Sequence, residues 1–221
     1  MSLQKTHSSN SYRWLLLSVA LGASVIHYST DYVFDGSGTR PWTEDDATGP
    51  LSVYGRTKLA GEEAIRASGA RHLIFRTSWV YASHGNNFAR TMLRLAAERE
   101  TLRVIDDQIG APTGADLIAD VTAHALRQAM AQDITGTFHL APAGHTSWHG
   151  YAQFVLEAAR RLKPEMPLKV QTVEAIPTTA YPTPAQRPLN SRLDTTRLQA
   201  TFGLQLPHWH TGVLRMLHET L

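Results

Sequence analysis

The stretch from Val25 to Lys58 constrains this chain more than any other. It reads V-I-H-Y-S-T-D-Y-V-F-D-G, crosses a polar loop, and resumes as V-Y-G-R-T-K-L-A-G-E. The first part predicts a buried parallel strand over residues 24–28, because a short β-branched apolar run suits a strand covered on both faces. Ser29, Thr30, Asp31 and Tyr32 follow at its carboxyl end, where open α/β sheets place their ligands. The second part predicts a helix over 52–67, with Ser52 as N-cap and Gly69 as the stop. Residues four apart share a helix face, so the Tyr54 phenol and the Lys58 ammonium point the same way.

That arrangement suits hydride transfer to a carbonyl. A ketone receiving hydride develops negative charge on oxygen and needs a proton donor within hydrogen-bond reach. A free tyrosine titrates near pH 10, too high for efficient transfer near neutrality, and a neighbouring ammonium favours the phenolate. Lys58 is spaced to do this, with hydrogens left over for a ribose hydroxyl, and a hydroxyl from Thr30 or Ser29 would polarise the carbonyl. Tyr-x-x-x-Lys alone is a common pattern; joined to the Ser-Thr-Asp-Tyr-Val-Phe-Asp-Gly run upstream it becomes specific.

Further along, strands are expected over 72–76, 102–105 and 137–140, and helices from Phe88, over 116–130 and over 148–162. A Pro-rich segment runs from Ile176 to Pro188, followed by a short helix and a last helix over 208–221. Alternating strands and helices give an α/β fold: a partial Rossmann-like parallel sheet with helices on its faces, plus a smaller C-terminal α/β lobe.

Composition narrows the class of function. With 221 residues the chain can bury a sizeable core. Its 21 Lys and Arg against 19 Asp and Glu are scattered, which argues against a nucleic-acid surface. The absence of cysteine excludes disulfides, thiolate metal sites and cysteine nucleophiles, and fits a cytoplasmic protein. Lys5 and Arg13 precede a short apolar run that resembles a signal peptide, yet the run is too short to span a bilayer and leads straight into the strand. A core helix over 12–21 is therefore expected, and no membrane partner.

The residues now quoted resemble the dTDP-4-dehydrorhamnose reductase family of the extended short-chain dehydrogenases. The likeness is carried by Tyr28–Phe34, Tyr54–Glu62, Arg76–Tyr81, Gly85–Phe88, Asp107–Thr113 and Arg187–Ser191, in order, from Val25 onward. It implies NADPH-dependent (or NADH-dependent) reduction of dTDP-4-dehydro-L-rhamnose to dTDP-L-rhamnose, a precursor of bacterial surface polysaccharide. It implies Thr30, Tyr54 and Lys58 as the catalytic triad; Ser29, Tyr54 and Lys58 against the cofactor; and Asp31, Trp79, Asn86, Asn87 and Arg187 against the dTDP-sugar, with Arg187 meeting the phosphates.

Nothing before Val25 matches the Gly-rich turn that holds a cofactor pyrophosphate in this family; Gly22 is the one glycine there. The domains expected are an atypical segment over 1–24, a truncated Rossmann-like catalytic domain over 25–144, and a mainly substrate-binding lobe over 145–221. Weak or absent NADPH binding is expected, and a homodimer is one way to cover the open sheet edge. The alternative is a catalytically impaired fragment that keeps the fold and the sugar-nucleotide pocket without the pyrophosphate site.

Simpler roles stand beside several of these. Asp31 either orients the site through a hydrogen bond or caps the turn. Trp79 is a substrate platform or a core residue, and Arg187 a phosphate contact or a solvated loop residue. Glu62 and Glu63 are expected on a solvated helix face. His145 with His149, and His208 with His210, have metal-like spacing but no third ligand, so capping or packing is expected and no metal site is predicted. Asp116 and His210 stand where relatives carry acidic groups at an interface ion.

Overall fold

The computed structural model describes Leu15 and residues 17–181 and 186–221. Its strands are β1 (Val25–Thr30), β2 (His72–Thr77), β3 (Val80–Tyr81), β4 (Thr101–Ile105), β5 (Ile109–Gly110), β6 (Thr113–Gly114), β7 (Gly136–His139), β8 (Thr146–Ser147) and β9 (Thr172–Ile176). Its longer helices are α1 (Val53–Ser68), α2 (Phe88–Glu98), α3 (Ala115–Gln132), α4 (Trp148–Leu162), α5 (Thr196–Phe202) and α6 (Trp209–Thr220). The helix expected over 12–21 survives as helical residues 17–20; its start lies outside the described residues, as do Pro182 and Pro184.

The site stands on a three-stranded parallel sheet in the order β1-β2-β7. β2, the central strand, is buried from Leu73 to Thr77, which is why its sequence is a continuous apolar run closing on Arg76 and Thr77. β1 pairs with β2 from Val25↔His72 to Thr30↔Thr77, and its other side faces no strand among the described residues. β1 runs two residues further than expected, so Ser29 and Thr30 are part of the strand.

Strand alternation divides the sheet into two faces. Leu73, Phe75 and Phe138 join Ile118, Val121 and Ala125 of α3 and Leu198 and Phe202 of α5 in one core. His27, Ile74 and Arg76 face the other way, toward α1. That helix begins at Ser52, whose side chain accepts from the Gly55 amide at 3.1 Å, and stops at Gly69 in the left-handed region (φ 72°). Its buried positions are Gly55, Glu62 and Ile65. Glu62 thus departs from the expected solvated face: it is 0 % exposed and bound by Arg76 of β2, while Glu63 stays exposed. Positions 55, 62 and 65 recur at helical spacing, and this phase puts the carboxylate inward.

A second core gathers α2, α4 and α6 around Leu93, Val104, Tyr151, Val155, Trp209 and Val213. β9, unmarked in the sequence by any long apolar run, pairs in parallel with β4 from Thr101↔Thr172 to Ile105↔Ile176. β5 pairs with β8, and residues 189–194 bond back to loops near Gly36, Trp42 and Ile109. Several pairings therefore cross from residues before 144 to residues after it.

The histidine pairs take structural places. His208 caps α6 by accepting from the His210 amide at 3.3 Å, and the His210 ring stacks on Phe154 at 4.1 Å. The His149 ring meets the Val173 carbonyl at 3.0 Å. Asp116 pairs with Arg215 of α6 at 3.2 Å. No helix among the described residues is long and apolar enough to cross a membrane.

Candidate active site

The carboxyl end of β1 turns at once into a short 3-10 helix, Asp31–Val33, and α1 packs directly on that turn. Gly55 makes this approach possible. A Cβ there would lie 2.2 Å from the Tyr32 carbonyl oxygen and 2.9 Å from Pro50, so any side chain would push α1 off the turn. Tyr54, the preceding residue, meets Tyr32 edge-on with ring centroids 5.8 Å apart. Tyr54 is 53 % exposed and open to a ligand.

Lys58, one turn on, donates to the main-chain carbonyl of Tyr28 on the open edge of β1. Burial lowers its pKa and Glu62 opposes that shift. Thr30 is nearly buried; its hydroxyl donates to Asp31 at 3.0 Å and accepts from the Tyr32 amide at 3.2 Å. The Thr30 proton is thus committed to Asp31, and polarising a ketone requires its release. Asp31 itself is 2 % exposed. Burial pushes its carboxyl up to about 6, although the Ser191 and Thr30 hydroxyls beside it pull the other way. Asp31 therefore holds the Thr30 hydroxyl, while the side chain that caps the turn is that of Thr30, which accepts from the Tyr32 amide. Ser29 is buried against Glu62 and faces away from the open edge.

A groove of about 400 Å³ lies farther along, lined by α2, β4, Trp148, Tyr181 and Arg187. Phe88, Met92, Leu95, Leu102 and Val104 form an apolar wall, Trp148 closes one end, and Arg99, Arg103, Tyr181 and Arg187 stand at the rim. This is the combination a nucleotide requires: apolar surface for a base, and guanidinium groups for phosphate. Arg187 is exposed and also influences Tyr32, whose phenol is pushed up by burial and by Asp31 but drawn down by Arg187. Arg187 thus lines the groove and acts electrostatically on Tyr32.

Trp79 adjoins the groove through Trp148. It adopts the left-handed region (φ 48°), which is costly for a bulky residue. Its ring stacks on Trp148 with centroids 3.7 Å apart and planes 13° apart, and covers Gly110, where a Cβ would lie 2.7 Å from the indole. Trp148 in turn donates to Gln108 at 3.1 Å. Trp79 is half-buried and packs in the aromatic cluster. Asn87 is fully occupied: its oxygen caps α2 by accepting from the Arg90 amide at 2.9 Å, and its nitrogen donates to the Ala82 carbonyl at 2.7 Å. Of the Asn86–Asn87 pair, Asn86 is the one with no structural hydrogen bond among the described residues.

The arrangement brings together Thr30, Asp31, Tyr54 and Lys58 at one sheet end, while Trp79 packs on Trp148, which with Arg187 lines the groove. The sequence did not reveal the apolar wall of the groove, the Tyr32 contact, or Asn190. The Asn190 side chain donates to the Ser37 and Arg40 carbonyls, and its own carbonyl accepts from the Trp42 indole, fixing the segment that carries Arg187. As for the cofactor the resemblance implies, Tyr54 and Lys58 on the open side of β1 fit a nicotinamide and its ribose. Among the described residues no Gly-rich turn faces that side; Gly22 has nothing within 4 Å of its Cβ position.

Comparison with known proteins identifies the family. The sequence profile described as "RmlD substrate binding domain" matches residues 17–221. The dTDP-4-dehydrorhamnose reductase of Escherichia coli (strain K12) is 62% identical over 200 residues, covering 90% of this chain and 66% of that protein. The dTDP-4-dehydrorhamnose reductase of Sinorhizobium fredii is 43% identical, covering 92% of this chain and 69% of its own length. A crystal structure of dTDP-4-dehydrorhamnose reductase from Bacillus anthracis, in complex with NADP, superposes with a TM-score of 0.82 at 33% identity, over 95% of this chain and 70% of that one. The chain thus spans about two thirds of the length of the relatives it matches.

Proposed function

Since the chain belongs to the family of RmlD substrate binding domains, we propose that it supplies the proton-donating and sugar-nucleotide-holding part of a dTDP-4-dehydrorhamnose reductase. The observation that supports this is the clustering of Thr30, Tyr54 and Lys58 at the end of β1, with Arg187 lining the apolar groove.

In this reading NADPH, when bound, supplies the hydride to the 4-keto carbon of dTDP-4-dehydro-L-rhamnose. Tyr54 gives its phenolic proton to the oxygen that gains charge. Lys58, one turn away, stabilises the phenolate left behind and holds a ribose hydroxyl. Thr30 aligns the carbonyl once its hydroxyl turns from Asp31. Trp79 and Asn86 flank the sugar, the apolar groove takes the base, and Arg187 takes the diphosphate. Asn87 contributes by fixing the turn rather than by touching the substrate. In this reading residues 25–144 carry the chemistry and also the apolar wall of the groove, while 145–221 add Trp148, Tyr181 and Arg187 to holding the substrate. We assign the reaction to the cytoplasm, and a second copy of the chain is a candidate to cover the open edge of β1.

A second reading is favoured by the absence of a Gly-rich turn among the described residues on the open side of β1. In it the chain keeps the fold and the sugar-nucleotide groove but does not hold the cofactor pyrophosphate. Titrating the purified chain with dTDP (tryptophan fluorescence) and with NADPH (nicotinamide fluorescence) tests both. Binding of both ligands, with NADPH oxidation that falls on the order of 100-fold or more in Tyr54→Phe, supports the reductase. Binding of dTDP without NADPH selects the second reading. Failure to bind dTDP overturns both.

A further inference from the structure

β4 and β9 run in parallel and end together, Ile105 opposite Ile176. One more bond follows, from the Asp106 amide to the Ile176 carbonyl. Pro177 comes next and has no N–H to donate, so the ladder cannot continue through the main chain. Side chains take it over. The Asp107 carboxylate accepts from the Thr178 amide at 2.9 Å and from the Thr178 hydroxyl at 2.5 Å. Gln108, 3 % exposed, donates to the same hydroxyl at 3.0 Å and accepts from the Trp148 indole at 3.1 Å.

The direction of these bonds is fixed by the groups themselves. An indole N–H only donates, so it meets the Gln108 oxygen and leaves the Gln108 nitrogen for Thr178. That nitrogen also only donates, so the Thr178 oxygen accepts and its own proton goes to Asp107. Trp148, Gln108, Thr178 and Asp107 are thus joined by hydrogen bonds that all point one way. Both ends of this chain of bonds bear on the groove. Trp148 lines it. Thr178 opens a 3-10 turn, Thr178–Ala180, on which the Tyr181 amide donates to the Thr178 carbonyl at 3.0 Å, and Tyr181 also lines the groove. Ile109, next to Gln108, bonds through its main chain to Leu189 and Ser191. Residues 107–109 therefore hold Thr178, three residues before Tyr181, and Leu189, two residues past Arg187.

We propose that Gln108 and Thr178 are positioning residues for nucleotide binding: standing outside the lining of the groove, they hold Trp148 and Tyr181 in a fixed relation, so that the nucleotide meets a groove already shaped for it. This rests on the reading of the groove as the nucleotide site.

Thr178→Val keeps the shape of the side chain and removes the hydroxyl, and Thr178→Ser keeps the hydroxyl. Isothermal titration is expected to show dTDP binding roughly 5-fold weaker in the valine variant, the scale of one lost neutral hydrogen bond, and as in the parent in the serine variant. Gln108→Met, which removes both of its bonds at similar length, must give a loss as well, and serves if Thr178→Val does not fold. A role in stability alone would lower the urea midpoint and leave the dTDP affinity of the folded variants unchanged; that result overturns the proposal. Tyr181→Ala is expected to weaken dTDP binding in the parent and to add little in Thr178→Val, whereas additive losses overturn the proposal, because the two residues would then act separately. The chain has five tryptophans, so ¹⁵N-labelled protein gives few indole signals, and that of Trp148 is the one lost in Trp148→Phe. This signal should move in Thr178→Val and return in Thr178→Ser; an unmoved signal overturns the linkage through Gln108. Failure of the parent to bind dTDP rejects the groove as a nucleotide site and the proposal with it, while dTDP binding indifferent to Thr178→Val and Gln108→Met rejects the proposal alone.

Discussion

The ammonium of Lys58 rests on the main-chain carbonyl of Tyr28, on the side of β1 that no described strand covers. An edge carbonyl is normally satisfied by water or by a neighbouring strand. Here Lys58, the side chain proposed to assist catalysis, does it, so the proposed catalytic group and the strand edge are one feature. Lys58→Ala leaves the carbonyl to water. The expected change in urea-unfolding stability is under about 1 kcal/mol, while reductase turnover falls on the order of 100-fold or more. Equilibrium unfolding and NADPH oxidation measured on the same preparations check both halves.

Gly55→Ala is expected to do the reverse. Its methyl would lie 2.2 Å from the Tyr32 carbonyl oxygen, a contact that forces the helix start or the turn to move. Overpacking of this kind costs roughly 1–3 kcal/mol, visible as a lower urea midpoint. Because Tyr54 is the adjacent residue, the Tyr32–Tyr54 edge contact should also loosen. A variant as stable as the parent would show that α1 has slack at its first turn.

Two buried groups give stability opposing pH dependences. His139 is fully buried, and burial, with Arg76 nearby, lowers it from 6.5 to about 3. Between those values the unfolded chain holds the extra proton, so stability rises with pH and is lost as pH falls below about 6.5. Asp31 is raised from 3.8 to about 6 by burial, so there the folded chain holds the extra proton and stability falls as pH rises through that window. The two contributions, of order 5 and 3 kcal/mol, oppose each other between about pH 4 and 6. Asp31→Asn removes the second, so its urea midpoint should climb more steeply than the parent's across that range. Parallel profiles would mean that Asp31 is not titrating there.

Arg187 and Arg103 both stand at the rim of the groove, but Arg103 faces Glu174 at 3.4 Å. Arg187→Ala is expected to weaken dTDP binding roughly 10-fold or more, the scale of a lost charged hydrogen bond, with stability unchanged because the side chain is exposed. Arg103→Ala should weaken it less. Isothermal titration with dTDP, and with thymidine as the ligand lacking phosphates, separates the two: thymidine binding should be the same in parent and Arg187→Ala.

Much of the catalytic end was legible because it is local. Ser52 and Gly69 bound α1 by cap chemistry, and the Tyr54–Lys58 spacing fixes their common face. Glu62 was misread because charge suggests solvent, while the phase set by Gly55 and Ile65 says otherwise. The groove was not legible: its wall combines α2 and β4 with Trp148 and Arg187, which meet only in the tertiary fold. Asn87 looked like a substrate residue until its oxygen and nitrogen were both seen bonded to main chain. Strands of two residues, such as β5 and β8, carry no periodic signal at all.

Asn190 holds the carbonyls of Ser37 and Arg40, some 150 residues earlier in the chain. Contacts so distant form late, because the loop they close must be ordered before they contribute anything. The arm that presents Arg187 is therefore tied to the completeness of the whole molecule. A chain that has collapsed but not yet joined residues 37–42 to Asn190 would own its tyrosine and lysine in place and still lack the arm proposed to grip phosphate, so capture of such a ligand would double as a record that folding has finished.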